Sequence, residues 1–458
     1  MQSTRPAGTQ VELRRELGVS DLTLTQILFV VGLPWVGVAA KQGPAHVLLW
    51  LAAIVFFYLP SAAVVIHLNR AMPLEGGLYQ WAKLGFNEVT GFLVAWNLWL
   101  FAILNTSETG LQVSQYLRYI TGTSSAADGG TGIVLLTNVL VLSALVAVTI
   151  AGLNVGKWVH KAGGALMVGT FAILVALPWL NLWTGSLASV HPLATAMPAM
   201  TLLSANIFAK MGFGALGGFE YVAIHAGECR SPEKTIARSV IFAAPIIGLM
   251  FILGTASVLA LVPLEQIDLI APIPQMLSTG FAPLGTFRWI APAAILVLLC
   301  IRVAQASVMF AGTTRLPMVA GWDGVLPAWF TRLHPRRQTP VNSILFVGAV
   351  TLAFSIAGLV GVGRQEAFQL LWNASAIFYA LTYLVMFAIP IAGVPSPAWL
   401  KVAAASGFVM TLAFVVLSIL PIVTVASPFV FALKISAVVV LTNAAGYAIF
   451  RSRSSRVP

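Results

Sequence analysis

Long apolar stretches separated by short polar connections recur along the whole chain and restrict its fold more than any other feature. Only 9% of the 458 residues are charged and 59% are hydrophobic, whereas about a quarter of the residues of a soluble domain are charged. A helix needs roughly 20 apolar residues to cross a bilayer. The sequence therefore predicts an all-α polytopic membrane protein and excludes both a soluble enzyme and a disordered chain.

Twelve of these stretches are long enough to form transmembrane helices. They lie at residues 23–40, 46–68, 88–119, 132–152, 162–183, 200–225, 238–262, 288–316, 341–361, 366–391, 402–422 and 427–450. The connections between them are too short for a separate soluble domain. The sequence therefore predicts 12 transmembrane helices in one membrane domain.

The distribution of basic residues indicates how the chain enters the membrane. When the connections are assigned alternately to the two sides, most of the 25 Lys and Arg residues fall on the side of the N-terminus. Cytoplasmic loops carry such an excess, so we expect a multi-pass protein of the cytoplasmic membrane, in contact with lipid, with both termini in the cytoplasm. The basic residues form no stripe on a polar domain, so nucleic acid is not an expected partner. Residues 1–20 contain no apolar segment followed by a cleavage site, and no cleaved signal peptide is expected.

Glycine and proline interrupt two of the predicted helices near their middle. The first contains Gly32, Pro34 and Gly37, and the sixth contains a glycine cluster at 212–218. Such residues free backbone amide and carbonyl groups, which in a membrane must find partners or line a cavity. If stretches 1–5 and 6–10 are repeats, each repeat has five helices, and because five is odd the second repeat is inverted in the membrane relative to the first. Each break then falls in the first helix of its repeat. Paired broken helices indicate a transporter binding site, and glycines that only allow close helix packing are the alternative.

Three motifs, in this order, resemble those of the amino acid–polyamine–organocation permeases. They are PLEGGLYQW at 73–81, ALGGFE with AGECRSPEKT at 215–220 and 226–235, and TR, GVLP and TPVN at 314–315, 324–327 and 339–342. The resemblance implies a leucine-transporter-like fold, with a five-plus-five inverted repeat and two additional C-terminal helices. The expected divisions are a cytoplasmic segment at 1–22, a transport core of ten helices at 23–391, two additional helices at 392–450 and a cytoplasmic tail at 451–458.

The resemblance also implies a function. Members of this family bind an amino acid or an amine between the broken parts of helices 1 and 6 and move it by alternating access. We therefore expect an amino acid permease, with a polyamine or organic amine permease, or an amino acid exchanger, as the alternative. Amide groups at the first break would hold a carboxylate, and free carbonyl groups would hold an ammonium group. The expected substrate-binding residues are Val31, Gly32, Leu33, Pro34, Gly37, Asn105, Thr106, Glu108, Phe213, Gly214, Ala215, Gly217, Gly218 and Glu220.

Four ionisable residues lie inside the predicted helices, where a charge is costly and is a candidate for function. Glu220 either contacts the substrate or only supports the unwound backbone. Glu108 either faces the substrate or pairs with Arg302. Lys210 either lines the cavity or extends its ammonium group to the outer vestibule.

The expected coupling site differs from that of several relatives, which carry a lysine in the fifth helix in place of a bound sodium ion. This chain has Thr170 at that position, so the candidates for a coupling site are Thr170, Arg302 and Ser307. In one hypothesis the Arg302 guanidinium, which does not deprotonate, supplies the missing charge and favours exchange or facilitated transport. In the other, Thr170 and Ser307 bind sodium. A proton or a sodium ion is therefore the candidate coupling ion.

The sequence contains none of the constellations expected of a membrane enzyme. We find no catalytic triad spacing, no phosphate-binding loop and no metal-binding motif. No enzymatic activity, cofactor or metal is therefore expected, and a polytopic membrane enzyme is the alternative class.

Overall fold

The computed structural model describes most of the chain, and its regular elements are helices. The described residues are 18–72, 77–122, 130–151, 156–191, 193–221, 229, 231–322, 327–335 and 339–454. Parts of the three sequence motifs, at 73–76, 222–228, 230 and 323–326, lie outside them. Within the described residues, eleven helices are long and apolar enough to cross a membrane, or twelve if one bent pair is counted as a single span. The predicted fold class, an all-α polytopic membrane protein, is confirmed.

We number the membrane helices α1 to α12 in chain order. They are α1 (Val19–Val30 and Leu33–Ala40), α2 (Gly43–Ala71), α3 (Glu88–Thr121), α4 (Gly132–Ala151), α5 (Ala162–Trp183), α6 (Leu202–Tyr221), α7 (Glu233–Leu261), α8 (Ile290–Trp322), α9 (Val341–Leu359), α10 (Arg364–Gly393), α11 (Ala398–Leu417) and α12 (Pro428–Ser452). Two short helices, Leu78–Gly85 and Pro272–Phe281, lie in connections before α3 and α8.

The breaks predicted in the first and sixth helices are present. The two halves of α1 meet at an angle of 51°. In α6, an α-helical segment Leu202–Ala209 passes into a π-helical turn, Lys210–Gly214, and regular helix ends before Gly217. Both breaks coincide with the glycines that the sequence analysis identified, because glycine tolerates the backbone turn and leaves room for a close neighbour.

Helices α1, α6 and α10 lie in the interior of the bundle, whereas α4 and α12 present apolar side chains outward. Trp35, Phe213 and Phe378 are buried, while Leu140 of α4 and Val440 of α12 are exposed. In water this exposed apolar surface would be unfavourable, but in a bilayer it faces lipid tails. The helix α12 is held to α3 by polar contacts across the interface. Trp96 Nε1 donates to Thr442 O at 2.9 Å, and Asn97 Nδ2 donates to Asn443 Oδ1 at 2.8 Å.

Candidate functional site

The break in α1 is short and lies at Val31 and Gly32. Val31 has φ −76° and ψ 85°, and Gly32 has φ −82° and ψ 114°, so both residues leave the helical region while keeping negative φ. The last carbonyl groups of the first half of α1 accept no hydrogen bond from an amide of the same half. One of them, Leu28 O, accepts a hydrogen bond from Gln305 Nε2 of α8 at 2.6 Å. Gln305 therefore supports the broken end of α1, a role that the sequence did not indicate.

The break in α6 uses glycine for its backbone conformation. Gly217 N still donates to Phe213 O at 2.9 Å, but Gly218 adopts φ +134°, a conformation that side chains disfavour. Gly218 N donates to the hydroxyl oxygen of Tyr383, on α10, at 2.6 Å. The amide that the break removes from the helix is therefore satisfied by a side chain of a neighbouring helix.

The two breaks lie directly against each other. A Cβ atom placed on Gly218 would come within 2.9 Å of Val30 Cγ2. The ring of Phe29, at the end of the first half of α1, stacks on the ring of Tyr221 with their centroids 3.9 Å apart. The predicted residues Val31, Gly32 and Gly218 are thus brought together at one place in the bundle.

The side chain of Trp35 lies between the break in α1 and the π-helical turn of α6. A Cβ atom on Gly32 would come within 2.7 Å of Trp35 Cδ1, and one on Gly214 would come within 2.6 Å of Trp35 Cη2. The indole therefore spans the distance from the break in α1 to the π-helical turn of α6. The sequence analysis gave Trp35 no role.

Glu220 is buried beside the break in α6 and is held by two tyrosines. Tyr379 donates its hydroxyl to Glu220 Oε1 and Tyr383 donates to Glu220 Oε2. The two tyrosines are four residues apart, so they lie on one face of α10. A chain of hydrogen bonds thus runs from the amide of Gly218 through Tyr383 to the carboxyl group of Glu220. Two tyrosines at this spacing in an apolar helix were the available sequence signal for this contact.

Glu108 and Arg302 form a buried ion pair between α3 and α8. Arg302 Nη2 lies 2.5 Å from Glu108 Oε1, and Glu108 has no exposed surface. The guanidinium also donates to Gln112 Oε1 at 2.6 Å and to Asn105 O at 3.2 Å. Of the two alternatives for Glu108, the structure contains the ion pair, and α3 changes from one helical segment to the next at this residue.

Lys210 is fully buried and does not extend to the outer vestibule. Its ammonium group donates to Ser418 Oγ at 2.9 Å and to Asn373 Oδ1 at 3.3 Å, and it lies 5.5 Å from the ring centroid of Phe414. The expectation that Lys210 extends to the vestibule is therefore wrong, because polar groups of α10 and the end of α11 satisfy the amine inside the bundle.

Two other predicted site residues, Gly37 and Phe213, pack on side chains of neighbouring helices rather than on the opposite break. Gly37 packs on Pro272 of a connecting helix, with 2.8 Å from its built Cβ to Pro272 Cβ. The ring of Phe213 packs on Phe414 of α11 and on Tyr383, with centroids 4.8 and 5.1 Å apart.

The remaining polar candidates bond within their own helices or stand partly buried. The hydroxyl of Thr106 donates to Ala102 O at 2.7 Å, and that of Thr170 donates to Leu166 O at 2.8 Å. Ser307 is partly buried on α8.

Comparison with known proteins matches this chain to one family over most of its length. The model of the protein family described as amino acid permease matches residues 17–442 of this chain. An uncharacterized transporter of Legionella pneumophila is 23% identical over 82% of this chain and 80% of its own length. A branched-chain amino acid permease of Bacillus subtilis is 25% identical over 78% of this chain and 80% of its own. A probable agmatine/putrescine antiporter of Lactococcus lactis is 24% identical over 79% and 77%. The resemblance drawn from the sequence motifs is confirmed.

Proposed function

Because the chain belongs to the amino acid permease family, we propose that it carries an amino acid across the cytoplasmic membrane by alternating access. The substrate is held between the breaks in α1 and α6. The observation that carries this proposal is the meeting of the two breaks, where Phe29 stacks on Tyr221 and Gly218 lies against Val30. Backbone groups that leave a helix inside a bilayer are stable only where they line a cavity or find partners.

The second half of α1 supports binding of a carboxylate. Among its first three residues, the amide of Leu33 has no acceptor within the helix, Pro34 contributes no N–H group, and the amide of Trp35 donates to Gly32 O at 3.1 Å. The positive end of the helix dipole lies at the same point. A carboxylate placed at the break in α1 therefore receives a hydrogen bond from the amide of Leu33 and a favourable potential.

The partners of the buried carboxylates favour an amino acid over a polyamine. Glu220 accepts hydrogen bonds from two tyrosines, and Glu108 is paired with Arg302. An amine with two or more positive charges would need acidic groups that are not already engaged. A polyamine or organic amine permease is the second candidate, because one relative is named as an agmatine/putrescine antiporter and Glu108 Oε2 has no hydrogen-bond partner among the described residues.

For coupling, we propose exchange or facilitated transport. Arg302 keeps its positive charge at any physiological pH, and its guanidinium is bonded to α3 through Glu108 and Gln112. The fixed charge favours a mechanism in which this site does not release a proton. The alternative, a sodium site at Thr170 and Ser307, predicts uptake that depends on a sodium gradient.

The test is solute counterflow into proteoliposomes, after a thermal-shift screen of the purified protein against the common amino acids and polyamines. We expect an amino acid to raise the melting temperature and to be exchanged without an imposed ion gradient. Sodium and proton gradients are then applied separately. Stabilisation and counterflow by polyamines alone would support the second candidate, and strict sodium dependence would contradict the exchange mechanism.

A pair of variants tests the site itself. Gly32→Leu places a side chain where Trp35 Cδ1 already lies 2.7 Å from a built Cβ, so substrate stabilisation and counterflow should be lost. Gly132→Leu, on α4, meets no atom within 4 Å and is the matched control. Normal counterflow by correctly folded Gly32→Leu protein would contradict the placement of the substrate.

A further inference from the structure

The indole of Trp35 fills the space between the break in α1 and the π-helical turn of α6. Trp35 is only 5% exposed. Its five-membered ring lies over Gly32, and three atoms of its six-membered ring lie within 3.0 Å of a Cβ built on Gly214. Both contacts are closer than a real Cβ would allow, so any larger residue at either position would displace the ring. In this conformation the side chain therefore occupies the volume between α1 and α6.

Packing holds the ring of Trp35 as it holds that of the buried Trp99, whose indole nitrogen has no hydrogen-bond partner among the described residues, whereas two other buried tryptophans are anchored by a hydrogen bond. Trp50 Nε1 donates to Thr255 Oγ1 at 3.1 Å, and Trp81 Nε1 donates to Met72 O at 2.9 Å. Among the described residues, no hydrogen bond to the indole nitrogen of Trp35 is present. A buried tryptophan usually has such a partner, so the ring of Trp35 is free to turn without breaking a hydrogen bond.

Two stacked aromatic side chains of α10 lie on one side of Trp35. The ring of Trp372 lies 5.2 Å from that of Trp35, and Phe368 stacks on Trp372 at 5.3 Å. The indole is therefore in contact with two glycines and near the ring of Trp372, on which Phe368 stacks. Such a lining suits an uncharged apolar group, because a charged group would lose its hydration there without gaining a partner.

We propose that Trp35 is a movable plug of the substrate site, which fills the space between the break in α1 and the π-helical turn of α6 when the site is empty and sets the size of the substrate side chain. This inference rests on the proposed function and deepens it. A bound amino acid pushes the ring aside, and its side chain then packs between the glycines and the displaced indole. The space between two glycine backbones and a retained indole suits an aliphatic side chain and excludes an aromatic one.

The plug has a thermodynamic consequence. When the binding site is open in only a fraction of the molecules, the apparent affinity for the ligand is lower than the intrinsic affinity by that fraction. Removing the ring removes this competition, so the KM for an aliphatic amino acid should fall. The same change leaves space for a larger side chain, so the preference for leucine over phenylalanine should weaken.

The experiment measures counterflow of leucine and phenylalanine by proteoliposomes with wild-type protein, Trp35→Phe and Trp35→Ala. We expect the wild type to favour leucine by about tenfold or more, since a site without room for a ring discriminates by that order. Trp35→Ala should reduce this ratio by about tenfold, and Trp35→Phe by less. Trp399→Ala, at a tryptophan that is 62% exposed on α11, is the control and should leave the ratio unchanged.

A second set of variants decides the case if Trp35→Ala does not fold. Gly214→Ala puts a Cβ 2.6 Å from Trp35 Cη2, at the far end of the indole, which a phenylalanine ring does not reach. Gly214→Ala should therefore change the KM for leucine by severalfold in the wild type and have little effect in Trp35→Phe. An equal effect in both backgrounds, or an unchanged leucine to phenylalanine ratio in folded Trp35→Ala, would overturn the inference. Absence of amino acid counterflow by the wild type would instead contradict the proposed function.

Discussion

The breaks in α1 and α6 arise from similar sequence signals and are stabilised in different ways. In α1, Val31 and Gly32 keep negative φ, a backbone that any residue can adopt. In α6, Gly218 has φ +134°, which only glycine adopts readily. The glycine of α6 is therefore required by the backbone, whereas the glycine of α1 is required by the indole that lies over it.

The two breaks also differ in their side-chain hydrogen bonds, which are more numerous at α6 than at α1. The break in α6 is connected to α10 through Tyr383, Tyr379 and Glu220. Among the described residues, the break in α1 has one side-chain hydrogen bond, from Gln305 to Leu28 O. The comparison shows that α6 is anchored by a network of buried polar groups, whereas α1 is held mainly by packing and has the freedom to rearrange.

The largest expected effect is that of Gly218→Ala. A side chain at φ +134° strains the backbone by about 1–3 kcal/mol, and the Cβ would lie 2.9 Å from Val30 Cγ2, which adds an overpacking cost. We expect the free energy of unfolding, measured by SDS titration in mixed micelles, to fall by about 2–4 kcal/mol. Gly361 also has a positive φ, but no atom lies within 4 Å of a Cβ built on it. Gly361→Ala therefore tests backbone strain without a steric contact, and it should lower the free energy of unfolding by less than Gly218→Ala. Equal costs for the two variants would show that the contact with α1 is unimportant.

The next largest effect is a difference in stability loss between variants of the two tyrosines that hold Glu220. Tyr383→Phe leaves the amide of Gly218 and one oxygen of Glu220 without a partner, whereas Tyr379→Phe leaves only one oxygen. A buried polar group without its hydrogen bond costs about 1–3 kcal/mol. We expect Tyr383→Phe to lower the free energy of unfolding by about 2 kcal/mol or more and Tyr379→Phe by about half as much.

The control for the tyrosine variants is Tyr447→Phe, at a residue that is 47% exposed on α12. It should change stability by a few tenths of a kcal/mol at most. A larger loss from Tyr379→Phe than from Tyr383→Phe would mean that the amide of Gly218 does not depend on Tyr383.

A smaller effect is expected at the break in α1, and it should depend on Trp35. Gly32→Ala keeps an allowed backbone, but its Cβ meets Trp35 Cδ1 at 2.7 Å, so the ring must shift at a cost of about 1 kcal/mol. In Trp35→Ala protein this contact is absent, and Gly32→Ala should cost almost nothing. A double-mutant cycle measures this coupling. The cost of Gly218→Ala should be the same in both backgrounds; if Trp35→Ala relieves it as well, the two breaks are not supported in different ways.

The sequence predicts the helices and the positions of the breaks well. Apolar stretches report directly how much chain can lie in a bilayer, and the glycines near 32 and 218 limit where a helix can end. The assumed repeat of helices 1–5 and 6–10 supplied the pairing of the two breaks, and the family resemblance agreed with it. These features depend on local composition and on motifs, both of which are visible without knowing the packing.

The contacts at the site could not be predicted in the same way, because they depend on which faces of distant helices meet. Glu220 and Tyr383 are 163 positions apart, and Gln305 and Leu28 are 277 apart. The ion pair of Glu108 and Arg302 was foreseen as one alternative, since two opposite charges in apolar helices favour pairing. Of the two alternatives for Lys210, extension to the vestibule is wrong, and its actual partners, Ser418 and Asn373, are uncharged and give no such signal.

The smallest expected effect concerns the single polar support of the break in α1. Gln305→Leu removes the hydrogen bond to Leu28 O, and a typical hydrogen bond contributes about 1 kcal/mol. Because this carbonyl ends the first half of α1, its loss should also loosen the half-helix that must move during transport, so the counterflow rate should change more than the stability. Gln365→Leu, at an exposed glutamine of α10, is the control. If Gln305→Leu lowers the free energy of unfolding as strongly as Tyr383→Phe, then α1 is anchored as firmly as α6 and the contrast between the two breaks does not hold.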